Sequence, residues 1–479
     1  MYGKSTCENL PQEADGSAIL CAAWPYRETS CKDLRNQMNS RILSVFPSTA
    51  AVNRHGHLLI GGCDTVELAQ QFGTPLYVFD VATLREQCRA HVAAFAVRYA
   101  DTCIYYAAKA WLSVKLAQFM RDEGLGLDVV SAGEMYVARA AGFPAQRVCL
   151  HGNNKSADEL VTALEWGVGR IVVDNLNELD TLVDLATHKQ AVAPVLLRIA
   201  PSVDPHTHRY IATGVADSKF GLPMATGMAE QAVQHALAAS SVKLYGYHVH
   251  IGSQIHDLDA YRRTVGLLVT FAAQMRQRYN YTPVEISMGG GWAVRYLPDD
   301  EVPTPDDVAD VLTKTLQAAC REYAMPLPTL SIEPGRALVA RAGVALYTVG
   351  ASKDIAGIRR YIFIDGGMAD NIRPALYGAR YAALIANRVS TPASERVTIA
   401  GRYCESADVL ITDAMLPPPQ RGDILAVATC GAYAPSMWSN YNMALRPAIV
   451  VVADGQATLW RRRETYEDLL RCDVFRCDV

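Results

Sequence analysis

The stretch VCLHGNNKSADELVTALEWGVGRIVVD (148–174) contains the unit on which the prediction of the fold depends. Its two ends, Val148–His151 and Arg170–Asp174, are short and mostly apolar runs, which favour buried strands. Between them, Ser156–Trp166 is rich in Ala, Leu and Glu and is typical of a helix. We therefore predict a strand, a helix and a second strand in succession, as in sheets built from parallel strands.

The same alternation extends in both directions from this stretch. Val81–Phe95 has the spacing of an amphipathic helix, and Thr304-Pro305-Asp306 is a typical start for a helix over Asp306–Tyr323. Eight strands alternating with helices over roughly 240 residues predict an α/β TIM barrel, although periodicity alone leaves a doubly wound open sheet possible. The strand candidates are Thr102–Ala107, Leu127–Val130, Val148–His151, Arg170–Asp174, Val195–Ile199, Leu244–His250, Val284–Met288 and Leu330–Glu333.

Near residue 345 the pattern changes to short β-like runs separated by Gly and Pro, which predict a C-terminal all-β domain. Leu76–Phe79, before the barrel, is also strand-like and could join this domain. The runs are Val344–Val349, Tyr361–Ile364, Val397–Ala400, Ile424–Val427 and Ala448–Val452. We expect an extension at 1–42, a segment of the β-domain at 43–83, the barrel at 84–345, the remaining β-domain at 346–470 and a tail at 471–479.

Composition narrows the class of protein. The formal net charge of −4 and the pI near 6.3 give no reason to expect nucleic acid or an anionic membrane as partner. No apolar run reaches the length of about 18–20 residues that spans a bilayer. The 12 cysteines form no CxxC pair, so neither a zinc site nor a disulfide framework is predicted. Acidic residues precede the short apolar stretch Ala18–Trp24, which argues against a secretory signal, and we expect a cytoplasmic protein.

Polar residues follow the predicted barrel strands, where the catalytic groups of this fold gather. They are Lys109, Asp128, Ser131, His151, Asn153, Asn154, Arg198, His248, His250, Ser253, Gly289, Gly290, Gly291, Glu333 and Arg336. The triple glycine lets backbone N–H groups approach an anion such as a phosphate, although a plain tight turn would have the same composition.

Lys109, Glu333 and His250 together suggest one cofactor. Between Tyr and Ala residues Lys109 is expected to be nearly buried, and desolvation would lower its pKa and make it a Schiff-base amine, unless it is an ordinary salt-bridged lysine. Glu333 could keep a heterocyclic nitrogen protonated, and His250 could stack on the ring or be a core histidine. With a phosphate-binding loop, these groups describe pyridoxal 5'-phosphate (PLP).

Ten motifs in sequence order resemble diaminopimelate decarboxylases, which are PLP enzymes with a TIM barrel and a β-domain. The resemblance runs from about residue 43 to 470. The motifs are YYAAKA (105–110), GLDVVSAGE (126–134), HGNNKS (151–156), VDPHTHRYIATGVADSKFG (203–221), HVHIGSQI (248–255), GGGW (289–292), EPGR (333–336), RPALY (373–377), CESAD (404–408) and GAYAPSMWSNYN (431–442).

The resemblance implies a role for each matching position. Lys109 would bind PLP covalently, His250 would stack on its ring and Glu333 would pair with the ring nitrogen. The phosphate would be surrounded by Ser253, Gly289, Gly290, Gly291 and Arg336. Substrate carboxylates would be bound by Arg336, Arg373 and Tyr377, and the distal amino group by Glu405. Cys404, as proton donor, and Tyr433, which would contact cofactor and substrate, would come from the neighbouring subunit of a head-to-tail homodimer.

The implied reaction is decarboxylation of meso-2,6-diaminopimelate to L-lysine. Ornithine, arginine or a specialised-pathway amino acid is the alternative substrate, but Arg373 argues for a second carboxylate. A racemase or a non-catalytic PLP-binding paralogue is a further alternative. Three positions depart from the usual family pattern: Ala407 in place of glycine, Trp292 in place of a smaller aliphatic residue, and Tyr381 where histidine is frequent.

Overall fold

The computed structural model describes residues 41–203 and 219–474. Most of the expected N-terminal extension, the last residues of the tail and most of the family-like loop 203–221 lie outside the described residues. The first described elements form a small antiparallel sheet, followed by a helix, a strand and a second helix. They are β1 (Ala51–Val52), β2 (Leu58–Ile60), β3 (Cys63–Asp64), α1 (Thr65–Phe72), β4 (Leu76–Asp80) and α2 (Val81–Ala96).

Eight parallel strands form a closed barrel, as predicted. Closure is made by the last strand, in which Leu330 pairs with Thr102 of the first. This parallel pairing excludes the open-sheet alternative, because an open sheet would leave those two strands at opposite edges. The barrel strands are β5 (Thr102–Ala107), β6 (Gly126–Val129), β7 (Val148–Leu150), β8 (Arg170–Val173), β9 (Ala193–Ala200), β11 (Val242–His248), β12 (Glu285–Ser287) and β13 (Thr329–Ile332), with the short β10 (Leu222–Pro223) paired to β9.

Helices connect the barrel strands, and local capping sets where they begin. Thr304 and Asp307 form a reciprocal capping box with Pro305 in the first turn, which confirms the helix start predicted there. Within the described part of the chain, none of the helices combines the length and apolar character needed to cross a bilayer. These helices are α3 (Val114–Asp122), α4 (Ala132–Ala140), α5 (Ala157–Trp166), α6 (Leu176–His188), α7 (Met228–Ala238), α8 (Asp259–Tyr279), α9 (Pro305–Glu322) and α10 (Arg336–Val339).

A separate β-sheet follows the barrel and takes its middle strand from the N-terminal segment. β4 lies between β14, to which it is antiparallel, and β20, to which it is parallel, so the strand-like Leu76–Phe79 does join this sheet. The elements are β14 (Gly343–Ile355), β15 (Arg359–Ile364), α11 (Arg373–Tyr377), β16 (Ala383–Ile385), β17 (Glu395–Ala400), β18 (Val409–Leu416), β19 (Ile424–Val427), β20 (Ala448–Ala453), β21 (Gln456–Arg461) and α12 (Tyr466–Leu470). The numbered domain boundaries remain our proposal.

Contacts between the two units occur directly beside Lys109. The backbone N–H of Tyr433 donates to the carbonyl oxygen of Ala110 at 2.7 Å, and the hydroxyl of Ser436 donates to the same oxygen at 3.2 Å. The segment after β19 is therefore held against the turn that follows the first barrel strand.

Candidate active site

A cavity lies at the C-terminal ends of the barrel strands, and it brings together residues that are far apart in the sequence. Seven of the predicted site residues line it: Lys109, His250, Ser253, Gly291, Glu333, Arg336 and Tyr433. Ala107, Trp292, Pro334, Gly335 and Ala337 complete the lining.

Lys109 lies in a single 3₁₀ turn, Ala108–Ala110, immediately after β5. The prediction that its side chain is nearly buried is wrong, because the side chain extends into the cavity and is exposed there. The predicted lowering of its pKa is wrong as well. Desolvation by the protein around the cavity lowers the pKa of Lys109, but the acidic groups of Asp128, Tyr433 and Glu333 outweigh this effect, and the net pKa is raised.

Glu333 follows β13 and is held by donors from two neighbouring strands. The Ser287 hydroxyl donates to Oε1 at 2.7 Å, and Nε2 of His248 lies 3.0 Å from Oε2. Nε2 of His151 is 3.4 Å from Oε1. Burial raises the pKa of Glu333, but the two histidines outweigh that effect and hold it well below its usual range. Glu333 is therefore a buried carboxylate that remains ionised.

Glu333 belongs to a group of buried side chains that also contains Asp128, Cys149 and His151. His151 lies 3.6 Å from the carboxylate of Asp128, and its ring meets that of His248 edge-on at 4.8 Å. Cys149, His151 and Glu333 each place one possible metal-ligand atom within 4.8 Å of the others. Burial raises the pKa of the Cys149 thiol well above its ordinary value, which disfavours the thiolate that a metal would require.

The triple glycine follows β12, and each member has a different environment. Gly291 lines the cavity, whereas Gly289 and Gly290 pack behind it. A Cβ atom on Gly290 would lie 2.3 Å from the carbonyl oxygen of Glu333, so only glycine fits this approach of two backbones. Among the described residues, the N–H groups of Gly290 and Gly291 donate no hydrogen bond to the protein. Those two donors are available to an anion.

Tyr433 belongs to the cavity of its own chain. The prediction that it comes from a neighbouring subunit is wrong, since it lines the same cavity as Lys109 and its backbone is bonded to Ala110. Its φ of +62° is unusual for a residue with a side chain, and the Arg336 guanidinium lies 4.7 Å above its ring. A strained backbone therefore holds this ring beside the cavity.

Arg336 connects the cavity to a second buried arginine. Its Nη2 donates to the Ser253 hydroxyl at 3.0 Å, and its Nη1 donates to the Tyr296 hydroxyl at 2.6 Å. Arg373 donates to the same Tyr296 hydroxyl at 3.0 Å and also to the hydroxyl of Tyr381. Tyr296 is not among the predicted site residues, because nothing in the local sequence pattern distinguishes it from a core tyrosine.

Besides Gly289, Gly290 and Arg373, the predicted residues Tyr377, Cys404 and Glu405 do not line this cavity. Cys404 and Glu405 are exposed on the loop before β18, and the Cys404 N–H donates to the side chain of Asn442 at 3.1 Å. The buried Asp408 holds the base of that loop by accepting from the N–H of Tyr403 at 2.8 Å. Tyr377 is half-buried at the end of α11. Within one chain, Cys404 and Glu405 therefore lie outside the lining of the Lys109 cavity.

Comparison with known proteins decides the family. Residues 81–340 match the family model described as the pyridoxal-binding domain of pyridoxal-dependent decarboxylases. Diaminopimelate decarboxylase of Bacillus subtilis (strain 168) is 46% identical over 426 residues, which cover 89% of this chain and 97% of that protein. The chain belongs to the diaminopimelate decarboxylase family. A Mycobacterium tuberculosis member (strain H37Rv) is 40% identical over 90% of this chain and 98% of its own.

Solved structures of the family have the same architecture. The diaminopimelate decarboxylase of M. jannaschii superimposes with a TM-score of 0.84 at 33% identity, covering 90% of this chain and 98% of its own. A lysine/ornithine decarboxylase of Vibrio vulnificus aligns with a TM-score of 0.69 at 22% identity, covering 84% of this chain and 100% of its own, and it shares the fold alone. The chain is accordingly a decarboxylase of the pyridoxal-dependent class.

The cavity of this diaminopimelate decarboxylase family member fits PLP. The amine of Lys109 is exposed to the cavity, as covalent attachment of an aldehyde requires. The ionised Glu333 can pair with a protonated ring nitrogen, and Gly290, Gly291 and Arg336 supply N–H donors for a phosphate. The contacts of each side chain with the cofactor, including stacking of His250, remain our proposals.

Proposed function

We propose that this protein removes one carboxylate of meso-2,6-diaminopimelate to give L-lysine and carbon dioxide, the last step of lysine biosynthesis. The observation that carries the proposal is the pair of buried guanidiniums, Arg336 and Arg373, which share one hydroxyl beside the Lys109 cavity. Diaminopimelate has a second carboxylate that is retained and needs cationic partners, whereas ornithine and arginine have none. Solved structures of the M. jannaschii and Helicobacter pylori relatives are complexes with L-lysine.

In the first part of the mechanism the chain holds its cofactor. Lys109 would hold PLP covalently through its Nζ. Glu333, kept ionised by His248 and His151, would keep the ring nitrogen protonated. When bound, PLP supplies an electron sink for the electron pair of the Cα–carboxylate bond.

In the second part the chain orients the substrate and returns a proton. Arg336 and Arg373 would bind the carboxylate that stays and so orient the substrate for loss of the other carboxylate. The bond between Cα and the leaving carboxylate breaks, carbon dioxide departs, and Cys404 gives its thiol proton to Cα. Tyr377 and Glu405 would contact the substrate carboxylate and the distal amino group.

We propose that Cys404 and Glu405 reach the cavity from a second copy of the chain, so that a homodimer shares its two sites. Both residues are exposed and neither lines the cavity of its own chain, which supports this arrangement. Mixing equal amounts of inactive Lys109→Ala chains and inactive Cys404→Ser chains should give about half of the dimers as hybrids. One of the two sites in each hybrid has both Lys109 and Cys404, so about a quarter of all sites should be active. Mixtures that stay inactive, although the chains co-assemble, would contradict shared sites.

A cytoplasmic location belongs to the same proposal. The eight cysteines in the described part of the chain are unpaired, as expected in a reducing compartment. Reduction should therefore leave the thermal midpoint of the purified enzyme unchanged. A large loss of stability in reductant would contradict this location.

The test of the reaction is carbon dioxide release by the PLP-loaded protein. Meso-diaminopimelate, ornithine, arginine and lysine are compared at equal concentration. We expect release from diaminopimelate, loss of release in Lys109→Ala, and a large rise in KM in Arg373→Met, because the retained carboxylate loses a cation. Arg380→Met, at an exposed arginine just after α11, is the matched control and should behave as wild type. Release from ornithine or arginine alone would overturn the proposed substrate.

A further inference from the structure

A single tyrosine hydroxyl joins the two arginines near the cavity. The Tyr296 oxygen accepts from Nη1 of Arg336 at 2.6 Å and from Nη1 of Arg373 at 3.0 Å. All three residues are buried, with 7%, 8% and 6% of their surfaces exposed for Tyr296, Arg336 and Arg373 respectively. Both guanidiniums also lie over the Tyr296 ring, at 5.8 and 5.0 Å from its centroid. Tyr296 therefore fixes the position of one cation relative to the other.

The hydrogen-bonding capacity of the Tyr296 hydroxyl is partly unused. A phenol oxygen has two acceptor lone pairs and one proton to donate. The two guanidiniums take the acceptor positions, and among the described residues no acceptor receives the proton. The cluster can thus offer an incoming group two cationic N–H donors and one neutral O–H donor.

The charge of the cluster is also uncompensated. Within the part of the chain that the structure describes, the side-chain hydrogen-bond partners of Arg336 and Arg373 are the hydroxyls of Ser253, Tyr296 and Tyr381, and none is a carboxylate. Two buried cations without an anion are costly unless a ligand supplies the negative charge. The phosphate proposed beside Arg336 would compensate part of this charge, and the donors and the remaining charge select a carboxylate as the further partner.

A second tyrosine holds Arg373 from another side. Arg373 donates to the Tyr381 hydroxyl, and the Tyr381 ring meets the Tyr296 ring edge-on at 5.3 Å. The Tyr381 hydroxyl in turn donates to Oδ1 of Asn371 at 3.5 Å. Tyr381 is the position where histidine is frequent in the family, and a tyrosine here adds no positive charge beside Arg373 near neutral pH.

We propose that Tyr296 is a positioning residue that determines the preference for a substrate with a second carboxylate. Its hydroxyl holds the guanidiniums of Arg336 and Arg373 at a separation at which one carboxylate can accept from both. Tyr381 supports Arg373 in the same arrangement. This inference rests on the proposed function and adds the residue on which substrate selection depends.

The test is Tyr296→Phe in the PLP-loaded enzyme, with kcat and KM measured separately. We expect KM for diaminopimelate to rise about tenfold to a hundredfold, the effect of losing a hydrogen bond to charged groups, with kcat changed by less than about threefold. Tyr281→Phe is the matched control, because that half-buried hydroxyl donates to the Leu244 carbonyl oxygen at 3.4 Å at the other end of β11. The control should leave both constants unchanged.

A binding measurement provides a readout that does not depend on turnover. L-lysine has one carboxylate and cadaverine has none, so the two amines are compared as ligands of the holoenzyme by the change in PLP absorbance. In PLP-loaded Tyr296→Phe the affinity for lysine should fall by the same factor as KM rises, while the affinity for cadaverine stays the same. A merely structural role would weaken the binding of both amines together.

The outcomes separate this inference from the proposed function. If the wild type releases no carbon dioxide from diaminopimelate, the proposed function fails, and the comparison of lysine with cadaverine still tests Tyr296. If the wild type is active but Tyr296→Phe changes neither KM nor lysine affinity, the inference is overturned. If Tyr296→Phe does not fold, Tyr381→Phe should raise KM in the same direction by a smaller factor, and an unchanged KM in that variant would also overturn it.

Discussion

Replacing Lys155 by methionine tests how the loop that carries His151 is held at the end of the barrel. The Lys155 ammonium lies 2.7 Å from Glu178 Oε1 and donates to the carbonyl oxygens of Gly152 at 2.6 Å and Val172 at 2.7 Å. The two charged side chains are only 1% and 4% exposed. One ammonium therefore ties the end of β7 to the end of β8 and to α6.

The expected cost follows from what the substitution leaves behind. Removing one partner of a buried ion pair leaves an uncompensated charge and destabilises by about 3–5 kcal/mol. We expect Lys155→Met to lower the free energy of unfolding by that amount, and Lys155→Met/Glu178→Leu to recover a large part of it. Lys189→Met is the control, because its pair with Glu165 is 42% and 59% exposed and should contribute less than about 1 kcal/mol.

The assay is equilibrium unfolding in urea of the wild type, Lys155→Met, Glu178→Leu, the double variant Lys155→Met/Glu178→Leu and the control Lys189→Met. Tryptophan fluorescence follows the whole chain, and PLP absorbance follows the barrel separately, because a protein of two units with a cofactor need not unfold in one step. The proposed role of the Lys155–Glu178 pair is refuted if Lys155→Met lowers the free energy of unfolding no more than Lys189→Met does. It is also refuted if the double variant is less stable than Lys155→Met alone.

Two further predictions concern His91 and Gly290. Burial lowers the pKa of His91 to about 4, and its Nε2 accepts from the Trp292 indole at 3.3 Å. Between pH of about 6.5 and 4 the His91 side chain is therefore protonated in the unfolded chain but not in the folded one. The free energy of unfolding should fall by up to about 1.4 kcal/mol for each unit by which the pH is lowered in this range. Urea unfolding at several pH values should show a shallower slope in His91→Gln. Gly290→Ala should weaken PLP binding in an absorbance titration, because the new Cβ would lie 2.3 Å from the Glu333 carbonyl oxygen. Gly266→Ala, whose Cβ would meet open space, should leave PLP binding unchanged.

Trp292, one of the departures from the family pattern, has a partner that the sequence could not predict. Trp292 looked out of place beside the triple glycine, but its ring stacks on His91 at 5.7 Å and its indole N–H donates to the same side chain. The partner lies 201 residues earlier in the chain. No local pattern could have paired the two residues, since only barrel closure brings α2 beside the loop after β12.

Local chemistry determined much of this protein before any tertiary structure was considered. Runs of apolar residues specify buried strands, and Thr304 with Asp307 specifies a helix start, because hydrogen bonds and side-chain periodicity act over a few residues. The order of the strands then predicted a barrel, and the motifs at the strand ends predicted most of the residues that line the cavity.

Only the tertiary structure decided the properties that depend on several segments at once. The net pKa of Lys109 is raised because charges on other strands outweigh burial, which the strand that precedes it does not encode. Tyr433 lies in the cavity of its own chain because the β-domain packs against Ala110. The shared hydroxyl of Tyr296 arises where the loop after β12 meets α11. Electrostatic and hydrogen-bond terms depend on distance in space, and a sequence gives distance only along the chain.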